Sequence, residues 1–469
     1  MHIIDITIVA VYLIACILIG LYKAKSIKTL KEYTLGSGYF SNIVIITTLF
    51  ATDIGASSLI GGIEKIYTLD TLFIVTYLLC PLLWLLTAKL YGGNIDQFRG
   101  CMSLSDIMDL LYGKIGRWTT SIALALVSIG VVAIQAKAMG YLVNYFFGIS
   151  SSYSIIISIL ILAIYSAFGG IKAVAFTDVF QFAVLMIAIP IAFSFVYHDV
   201  GDYNGIVNSL PEDLLNLNLN QDNIFLFSSL IFYVLLPNIS GVYIQRFLMC
   251  RDSIQLTYCL NVIAVISFFF TIIICLIGLI LKMKEPNMEP HIVFIYFIAN
   301  HVAIGFKGLI IAGLLAVIMS TANSWLNNAS VLVTHDIIMK IRPLTESKAL
   351  LVAKISTFLI STLAIFLAMN KKGLVEINWL VAHFFESIIF IPLTAGFLKF
   401  KTNSKSFISG IILAISSITI SGYIMADFAT ISLACGIIGS AIGLFSMHYW
   451  QVYQGKIKSH KGRYLPIEI

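Results

Sequence analysis

Two short polar runs interrupt hydrophobic segments of this chain, and both carry groups that could bind a cation. The first is Ser-Thr-Ala-Asn-Ser at 320–324, inside the apolar stretch 308–338. The second is 51–58, where Asp53 and Gly55 break another hydrophobic segment. Polar groups inside a segment that crosses lipid are costly, and two such interruptions in one chain typically mark an ion or substrate path. The runs therefore indicate a transporter.

The residue types in these runs suit Na⁺, a hard cation that prefers oxygen ligands. The adjacent hydroxyls of Ser320 and Thr321 are two candidate ligands, and an unwound helix from Ala51 to Ile54 would expose backbone carbonyls. The alternative is structural: both hydroxyls would hydrogen-bond to the preceding helical turn or pack as small residues. Spacing alone leaves both interpretations open.

The runs lie in a strongly apolar chain. Of its 469 residues, 59% are hydrophobic and 11% are charged, and the mean hydropathy is +0.97. A soluble protein of this composition would aggregate, so we expect an all-α integral membrane protein. Apolar runs of about 20 residues, enough to cross roughly 30 Å of hydrocarbon, predict about thirteen spans. These spans are approximately 3–22, 43–61, 71–93, 118–146, 153–169, 178–198, 223–244, 256–281, 306–338, 350–370, 376–398, 406–425 and 428–449.

The order of the spans predicts two inverted repeats of five helices, each opening with a broken helix, as in many secondary transporters. The second span is the first broken helix. The seventh span is its counterpart, since 236–241 contains the helix breaker Pro237. The expected single transmembrane domain consists of repeats at approximately 42–198 and 223–398, with extra helices at 1–23 and 406–450.

Basic residues in the loops predict the orientation, because Lys and Arg are retained on the cytoplasmic side. With the N-terminus outside and the C-terminus inside, about 22 of the 29 Lys and Arg residues are cytoplasmic, Arg246 among them. The net charge of +6 is then a topology signal, and no nucleic-acid partner is implied. The first span is too long for a signal peptide and is expected to be retained. Seven scattered cysteines indicate neither a disulfide framework nor a zinc site.

Three further ionisable residues lie within predicted spans. Lys137 would cost about 2.5 to 3.5 kcal/mol at a helix centre on insertion scales. We expect it to face the interior, as a counter-ion of Asp53 or Glu386 or as a contact for a substrate carboxylate; the alternative is snorkelling. Glu386 and His383 are three residues apart and share a helical face. A gate or proton-linked role is expected for them in preference to a metal site.

Two longer patterns resemble those of the sodium:solute symporter family. Residues 308–328 (GLIIAGLLAVIMSTANSWLNN) are similar to the family signature, and 169–181 (GGIKAVAFTDVFQ) are similar to its double-glycine, Thr-Asp and Gln pattern. A weaker match is Lys-Glu-Tyr at 31–33, before a glycine-rich turn. The resemblance covers nearly the whole chain and is specific for the family but not for the substrate. It implies a fold of the leucine-transporter type and solute uptake coupled to inward Na⁺ movement.

The resemblance also implies a set of Na⁺ ligands by position. They would be the backbone oxygens of Ala51, Ile54 and Val317 together with the hydroxyls of Ser320 and Thr321. The family often has alanine where Val317 stands, and the carbonyl is unaffected by that difference.

Two carboxylates match acidic positions of the family. Asp53 corresponds to a position that some members use for sodium dependence. Asp178 corresponds to one linked to ion release or to a further ion site. Its structural alternative is a favourable contact with the N-terminus of the sixth helix.

Candidate substrate residues follow from the broken helices and the polar residues near them. Gly55 and Ser58 hold positions that face substrate in the family, and Tyr233 is the aromatic residue nearest to the place of its aromatic gate. Other aromatic residues are expected to face lipid or the membrane interface. Gly241 stands where the family commonly has glutamine, which argues against a sugar, and Lys137 favours an amino acid or an organic anion. The full candidate set is Gly55, Ser58, Lys137, Tyr233, Asn238 and Glu386.

The prediction is therefore a Na⁺-coupled symporter of a small organic solute, with Na⁺ as coupling ion, in a bacterial-type inner membrane and without an obligatory protein partner. One alternative is H⁺ coupling through Asp53, His383 or Glu386. Another is a solute sensor, although the roughly twenty residues after the final span are expected to leave no room for an output module. Two matched broken helices disfavour a channel, and no catalytic motif indicates an enzyme.

Overall fold

All regular elements of the described chain are helices. The computed structural model describes residues 1–25, 28–36, 40–167, 170–199, 221–237, 239–370, 372–425 and 430–456. The helices are α1 (Ile3–Ala24), α2 (Leu30–Leu35), α3 (Asn42–Asp53), α4 (Ala56–Tyr77), α5 (Cys80–Leu90), α6 (Leu104–Phe147), α7 (Ser151–Ala167), α8 (Ile171–Asp199), α9 (Gln221–Val234), α10 (Gly241–Leu248), α11 (Ser253–Lys284), α12 (Val293–His301), α13 (Phe306–Val331), α14 (Glu346–Ala368), α15 (Leu374–Phe397), α16 (Ser404–Met425) and α17 (Thr430–Tyr453). A 3-10 helix, Gly92–Phe98, lies between α5 and α6.

In the part of the chain that the structure describes, each predicted span coincides largely with one helix or with a pair of helices. Among the described residues, nine helices are long and apolar enough to cross a membrane, or ten when the bent pair Asn42–Asp53 and Ala56–Leu69 counts as one span. Helix α7 and the part of α15 from His383 to Phe397 are apolar but shorter. The multi-pass helical architecture is therefore confirmed, whereas the number thirteen and the two five-helix repeats remain predictions.

Helix α6 extends well beyond the limits that hydropathy predicts, whereas the span that contains α13 ends close to its predicted limit at 338. Helix α6 begins at Leu104, well before position 118, and kinks at Gly113, whose φ of 71° is a left-handed value that glycine adopts without strain. Helix α13 continues beyond Val331 as a π-helical stretch, Leu332–Ile338. Polar and charged residues at the start of α6 hide this extension from a hydropathy window, although it is helical.

The helix that carries the polar run 320–324 is the centre of the molecule. In the most apolar window of the continuous span Phe306–Ile341, 94% of residues are buried, compared with 17% in α1. Helix α13 packs against α1, α6, α7, α8 and α14. The approach to α8 is so close that a Cβ on Gly313 would collide with Ala188. Polar side chains on α13 are therefore held in protein surroundings and away from lipid.

The two extra C-terminal helices form a closely packed pair beside the bundle. Glycines at the contact between α16 and α17 allow the two backbones to approach, as small residues do in membrane helix pairs. Helix α17 also packs on α15, where a Cβ on Gly436 would collide with Ser387. The pair thus supports α15 from the outside.

The weakest of the three family-like patterns forms a short, well-capped helix. In α2, the hydroxyl of Thr29 accepts from the Glu32 amide and the Glu32 carboxylate accepts from the Thr29 amide, which is a capping box. The hydroxyls of Tyr33 and Ser330 lie 3.3 Å apart. Helix α2 therefore packs its aromatic residue against the C-terminal part of α13.

Candidate ion and substrate site

The polar run 51–58 lies at a break between α3 and α4, whose axes differ by 48°. Ile54 leaves the helical region, with φ −78° and ψ 88°. The amide of Gly55 then donates to the Asp53 carbonyl at 2.9 Å instead of to the carbonyl of Ala51. Carbonyls of the last turn of α3 are thereby released from helical hydrogen bonds. The predicted first broken helix is confirmed at the predicted position.

Five oxygen atoms of the predicted Na⁺ set meet at this break. The Ser320 hydroxyl donates to the Ala51 carbonyl at 2.7 Å and lies 3.1 Å from the Val317 carbonyl. The Thr321 hydroxyl lies 3.4 Å from the carbonyls of both Ala51 and Ile54. Both hydroxyl-bearing side chains are buried. Carbonyl and hydroxyl oxygens gathered in this way are the donors that a hard monovalent cation takes.

The structural alternative for the two hydroxyls accounts for only one of these contacts. Ser320 does contact Val317 of its own helix, as a back-bonding serine would. Thr321 contacts carbonyls across the break, including that of Thr52 at 3.4 Å, which the sequence did not predict as a ligand. Helical back-bonding alone therefore does not explain the pair.

Gln135 of α6 hydrogen-bonds to the backbone at the break between α3 and α4. Its Oε1 accepts from the amide of Ala56, the first residue of α4, at 3.0 Å. A Cβ on Gly55 would lie 3.0 Å from Gln135 Nε2 and 3.1 Å from Thr321 Oγ1. The close approach of α6 and α13, and not an unusual φ, therefore favours glycine at position 55. The sequence did not single out Gln135, because its role depends on which face of α6 meets the break.

A cavity of about 230 Å³ lies directly beside these oxygens. Ile54, Gly55 and Thr321 line it, so the cavity and the candidate ion site share a wall. Seven aromatic side chains also line it, among them Trp84 and Trp325. The expectation that aromatic residues other than Tyr233 face lipid or the interface is wrong for these rings. Hydropathy cannot separate an aromatic residue in a cavity from one in contact with lipid.

Most of the candidate substrate residues border this cavity. Those that line it are Gly55, Ser58, Tyr233 and Glu386. Asn238 lies outside the described residues, and Lys137 is not among the lining side chains. The second broken helix is present, because α9 ends at Val234 and α10 begins at Gly241. Tyr233, one residue before that end, accepts from the Asn378 side-chain amide at 3.0 Å.

Lys137 faces the interior as expected, but its observed partners differ from the predicted ones. Its ammonium group donates to the carbonyls of Asn370, at 2.6 Å, and Lys372, at 2.5 Å, in the segment before α15. No ion pair joins it to Asp53 or Glu386 within the described residues. These hydrogen bonds hold the segment before α15 against α6. The structure does not support a contact between Lys137 and a substrate carboxylate in the cavity.

Asp53 connects the two broken helices. Its carboxylate accepts from the Tyr243 hydroxyl of α10 at 3.0 Å. Its backbone carbonyl accepts from the Ser58 hydroxyl at 3.1 Å. Both contacts lie at the cavity wall. The sequence did not identify Tyr243, whose role becomes visible only once α10 is placed against α3.

Asp178 belongs to a buried polar cluster and not to a helix terminus. Helix α8 begins at Ile171, two turns earlier, and the effect of a helix dipole is confined to the first turn. The proposed contact of Asp178 with the helix N-terminus is therefore wrong. Its Oδ2 accepts from the Thr48 hydroxyl at 2.5 Å and lies 3.6 Å from the guanidinium of Arg246. Asp178 and Arg246 are both fully buried.

Arg246 also corrects the count of cytoplasmic charges. It was expected in a cytoplasmic segment, but α10 carries it into the bundle. Its guanidinium donates to the hydroxyls of Thr48, at 3.1 Å, and Ser324, at 2.5 Å. The polar run of α13 is thus linked through Arg246 to Asp178 of α8. A charge count along the chain cannot reveal this, because a short helix that folds inward looks like a loop.

A second charged cluster joins α6 to the π-helical end of α13. Arg117 lies 3.0 Å from Asp106, 2.6 Å from Asp109 and 3.6 Å from Asp336. His335 Nδ1 lies 2.8 Å from Asp336 Oδ1. Asp106, His335 and Asp336 are close enough together to offer ligands to a metal ion, but the guanidinium of Arg117 already faces both carboxylates. The cluster is therefore an ion-pair network that fixes these two helices together.

Comparisons with known proteins agree with this architecture. A model of the sodium:solute symporter family matches residues 33–414. The sodium/pantothenate symporter of Escherichia coli is 24% identical over 448 residues and covers 90% of each chain. The sodium/sialic acid symporter SiaT of Proteus mirabilis is 26% identical, covering 88% of each chain. The osmoregulated proline transporter OpuE of Bacillus subtilis is 23% identical, covering 77% of each chain.

Two solved structures share the fold. One is the substrate-bound, outward-open state of a Na⁺-coupled sialic acid symporter, with a TM-score of 0.80 and 22% identity, covering 96% of this chain and 98% of the other. The second is MHP1, a nucleobase-cation-symport-1 family transporter in a closed conformation, with a TM-score of 0.61 and 14% identity, covering 93% and 99%. At these identities the similarity concerns the fold alone.

Proposed function

This chain belongs to the sodium:solute symporter family, and on that premise we propose that it is a Na⁺-coupled symporter that imports a small organic solute by alternating access. The family match spans residues 33–414, and the curated relatives include sodium symporters of pantothenate and sialic acid. One observation carries the proposal. The oxygens around Ser320 and Thr321 join a broken helix to the central helix, directly beside a cavity.

The proposed Na⁺ ligands come from two separate elements, which is what coupling requires. The hydroxyls of Ser320 and Thr321 belong to α13, and the carbonyls of Ala51 and Ile54 belong to the break after α3. Na⁺ can shift a conformational equilibrium only if its affinity differs between the two states. A movement that separates α3 from α13 would split the ligand set and provide that difference.

We assign Asp178 to the ion pair with Arg246 and not to Na⁺ coordination. The guanidinium lies 3.6 Å from its Oδ2 and donates to the neighbouring hydroxyls of Thr48 and Ser324. Arg246 thus supplies the positive charge at this position. Asp53 is a better candidate for sodium dependence, because it ends α3 at the wall shared by the ion site and the cavity.

We place this multi-pass protein in a plasma membrane, with its N-terminus outside and its C-terminus in the cytoplasm. The basic residues of the loops support this orientation. The burial of Arg117 and Arg246 removes two charges from the cytoplasmic set without changing its majority.

Na⁺ alone is the probe for the first test of this proposal. Thermal unfolding of the purified protein is measured during titration with NaCl and, separately, with KCl. We expect a saturating rise in Tm with Na⁺ that K⁺ does not reproduce, because a ligand that binds only the folded state stabilises it. Equal curves in the two salts would contradict Na⁺ binding.

Uptake into proteoliposomes tests the coupling. Solutes that raise Tm further in the presence of Na⁺ are offered under an inward Na⁺ gradient or under a pH gradient without Na⁺. Accumulation driven by Na⁺ supports the proposal. Accumulation driven by the pH gradient alone would favour the H⁺-coupled alternative, with Asp53, His383 or Glu386 as the proton carrier.

A further inference from the structure

The charged side chains that line the cavity are acidic. Asp53 and Glu386 both line it, and the described lining contains no Lys, Arg or His. Lys137, whose charge favours an organic anion as the substrate in the sequence analysis, donates instead to backbone carbonyls outside the cavity. A cleft with low-dielectric walls concentrates the potential of its charges. When these two carboxylates are ionised, the field of the cavity disfavours organic anions and attracts cations.

Glu386 is the carboxylate that is available to a ligand. Its Oε2 is buried and has no hydrogen-bond partner among the described residues. Asp53, in contrast, already accepts from the Tyr243 hydroxyl. An ionisable group within a membrane bundle is costly unless it has a partner, and it usually belongs to a substrate or ion path. A positively charged group on the solute would be such a partner for Glu386.

Aromatic rings supply much of the remaining wall. The hydroxyl of Tyr77 donates to the Ser58 carbonyl at 2.6 Å, and that of Tyr243 donates to Asp53. With these hydroxyls engaged inside the protein, the two tyrosines contribute mainly ring surface to the cavity. Trp84 packs edge-on against Tyr243, with ring centroids 5.8 Å apart. Ring faces attract ammonium and quaternary ammonium groups, and tryptophan does so most strongly.

The charge balance with Na⁺ leads to the same class of solute. A buried carboxyl without a partner is favoured in its neutral form, and a cationic group placed against Glu386 would stabilise the ionised form. With one Na⁺ bound at the oxygens around Thr321 and both Asp53 and Glu386 ionised in this way, the site before the solute is counted carries a net charge of about −1. A monocation neutralises the site, a zwitterion leaves the charge unchanged, and a carboxylate doubles it. Because the site is surrounded by protein and lipid, the neutral combination is the favoured one.

We infer that the transported solute is a small organic cation, a protonated amine or a quaternary ammonium compound, whose charged nitrogen binds at Glu386 among the aromatic rings. The inference rests on the proposed function and narrows its substrate class. Basic amino acids belong to this class. The cavity of about 230 Å³ limits the solute to a small molecule, since sites for drug-sized ligands measure roughly 300 to 1,000 Å³.

Matched solutes that differ in charge provide the test. Thermal unfolding of the purified protein in NaCl and in KCl is measured with choline and with its neutral isostere dimethylbutanol, and with lysine and norleucine. The anions are dimethylbutyrate and pantothenate. We expect a cation of the panel to raise Tm only in Na⁺, and its partner without the extra charge to have no effect. Stabilisation by an anion, or by no cation of the panel, would overturn the inference.

Variants of α15 identify the anchor. Glu386→Gln is expected to lower the affinity for the stabilising organic cation at least tenfold. The Na⁺-dependent rise in Tm should persist in this variant, which also shows that it is folded. Glu376→Gln is the matched control, because Glu376 lies on the same helix and pairs with Lys65 away from the cavity lining. An equal loss of affinity for the cation in both variants would contradict the role of Glu386. If Glu386→Gln does not fold, Glu386→Asp is measured in its place. If Na⁺ did not raise the Tm of the unsubstituted protein, the proposed function itself would be refuted.

Discussion

Removing one hydroxyl from the candidate ion site should weaken Na⁺ binding by a predictable amount. In Ser320→Ala, the oxygen that lies 2.7 Å from the Ala51 carbonyl is lost, and the four other predicted donors remain. A hydrogen bond or contact with a charged group contributes about 1.5 to 3 kcal/mol. The expected loss of Na⁺ affinity is therefore roughly tenfold to a hundredfold, at 1.4 kcal/mol for each factor of ten.

The same magnitude fixes the expected change in stability. If Na⁺ is present at about a hundred times its Kd, it stabilises the folded state by about 2.7 kcal/mol. A hundredfold weaker site at the same Na⁺ concentration retains only about 0.4 kcal/mol of this effect. The assay is the Tm of purified Ser320→Ala and Thr321→Ala across a Na⁺ titration at constant ionic strength. We expect both curves to shift to higher Na⁺, and the double variant to lose the response.

The control for this experiment lies on the same helix. Ser330 of α13 is also buried, and its hydroxyl donates to the Asn327 carbonyl at 2.8 Å, distant from the break after α3. Ser330→Ala should lower Tm in Na⁺ and in K⁺ equally and leave the midpoint of the Na⁺ titration unchanged. If Ser320→Ala behaved in the same way as Ser330→Ala, the assignment of the ion site would be refuted.

Three further substitutions test the surroundings of the site. Gly55→Ala places a Cβ 3.1 Å from Thr321 Oγ1, so its Na⁺ midpoint in the same titration should rise while folding is retained. Lys137→Met removes two hydrogen bonds to backbone carbonyls; we expect loss of roughly 2 kcal/mol of stability, with an unchanged Na⁺ midpoint in thermal unfolding. Arg246→Gln leaves Asp178 as an unpaired buried charge and should lower the free energy of unfolding by about 3 to 5 kcal/mol. Adding Asp178→Asn should restore most of the Tm. A double variant as unstable as Arg246→Gln would show that charge pairing is not the cause.

The two polar runs of the candidate ion site could be recognised in the sequence because their residue types are local features. Two adjacent hydroxyls, and a carboxylate followed two residues later by a glycine, stand out against apolar surroundings. The break at Ile54 and Gly55 lies within the second run. The family resemblance then related two runs that are far apart in the chain, and the structure brings them to within 2.7 Å at Ser320 and Ala51.

The substrate side was less predictable because it depends on which helix faces meet. Lys137 was expected to point inward and does so, but its partners lie in the segment before α15, and no periodicity identifies them. Gln135 is two residues earlier on α6 and caps α4, although nothing in its neighbourhood marks it. The topology prediction places Arg246 in a cytoplasmic segment, whereas α10 carries it into the bundle. Tertiary contacts decide each of these roles.

Thr321 is the residue through which ion and solute occupancy would influence each other. Its hydroxyl lies 3.4 Å from the Ile54 carbonyl, within the candidate ion site, and its side chain also lines the cavity. Gly55 adjoins both, since a Cβ there would meet Thr321. A cation that fixes Thr321 against the break therefore also fixes one wall of the cavity. Solute that binds to this ordered wall must in turn strengthen Na⁺ binding by the same factor, because coupling between two ligands is reciprocal.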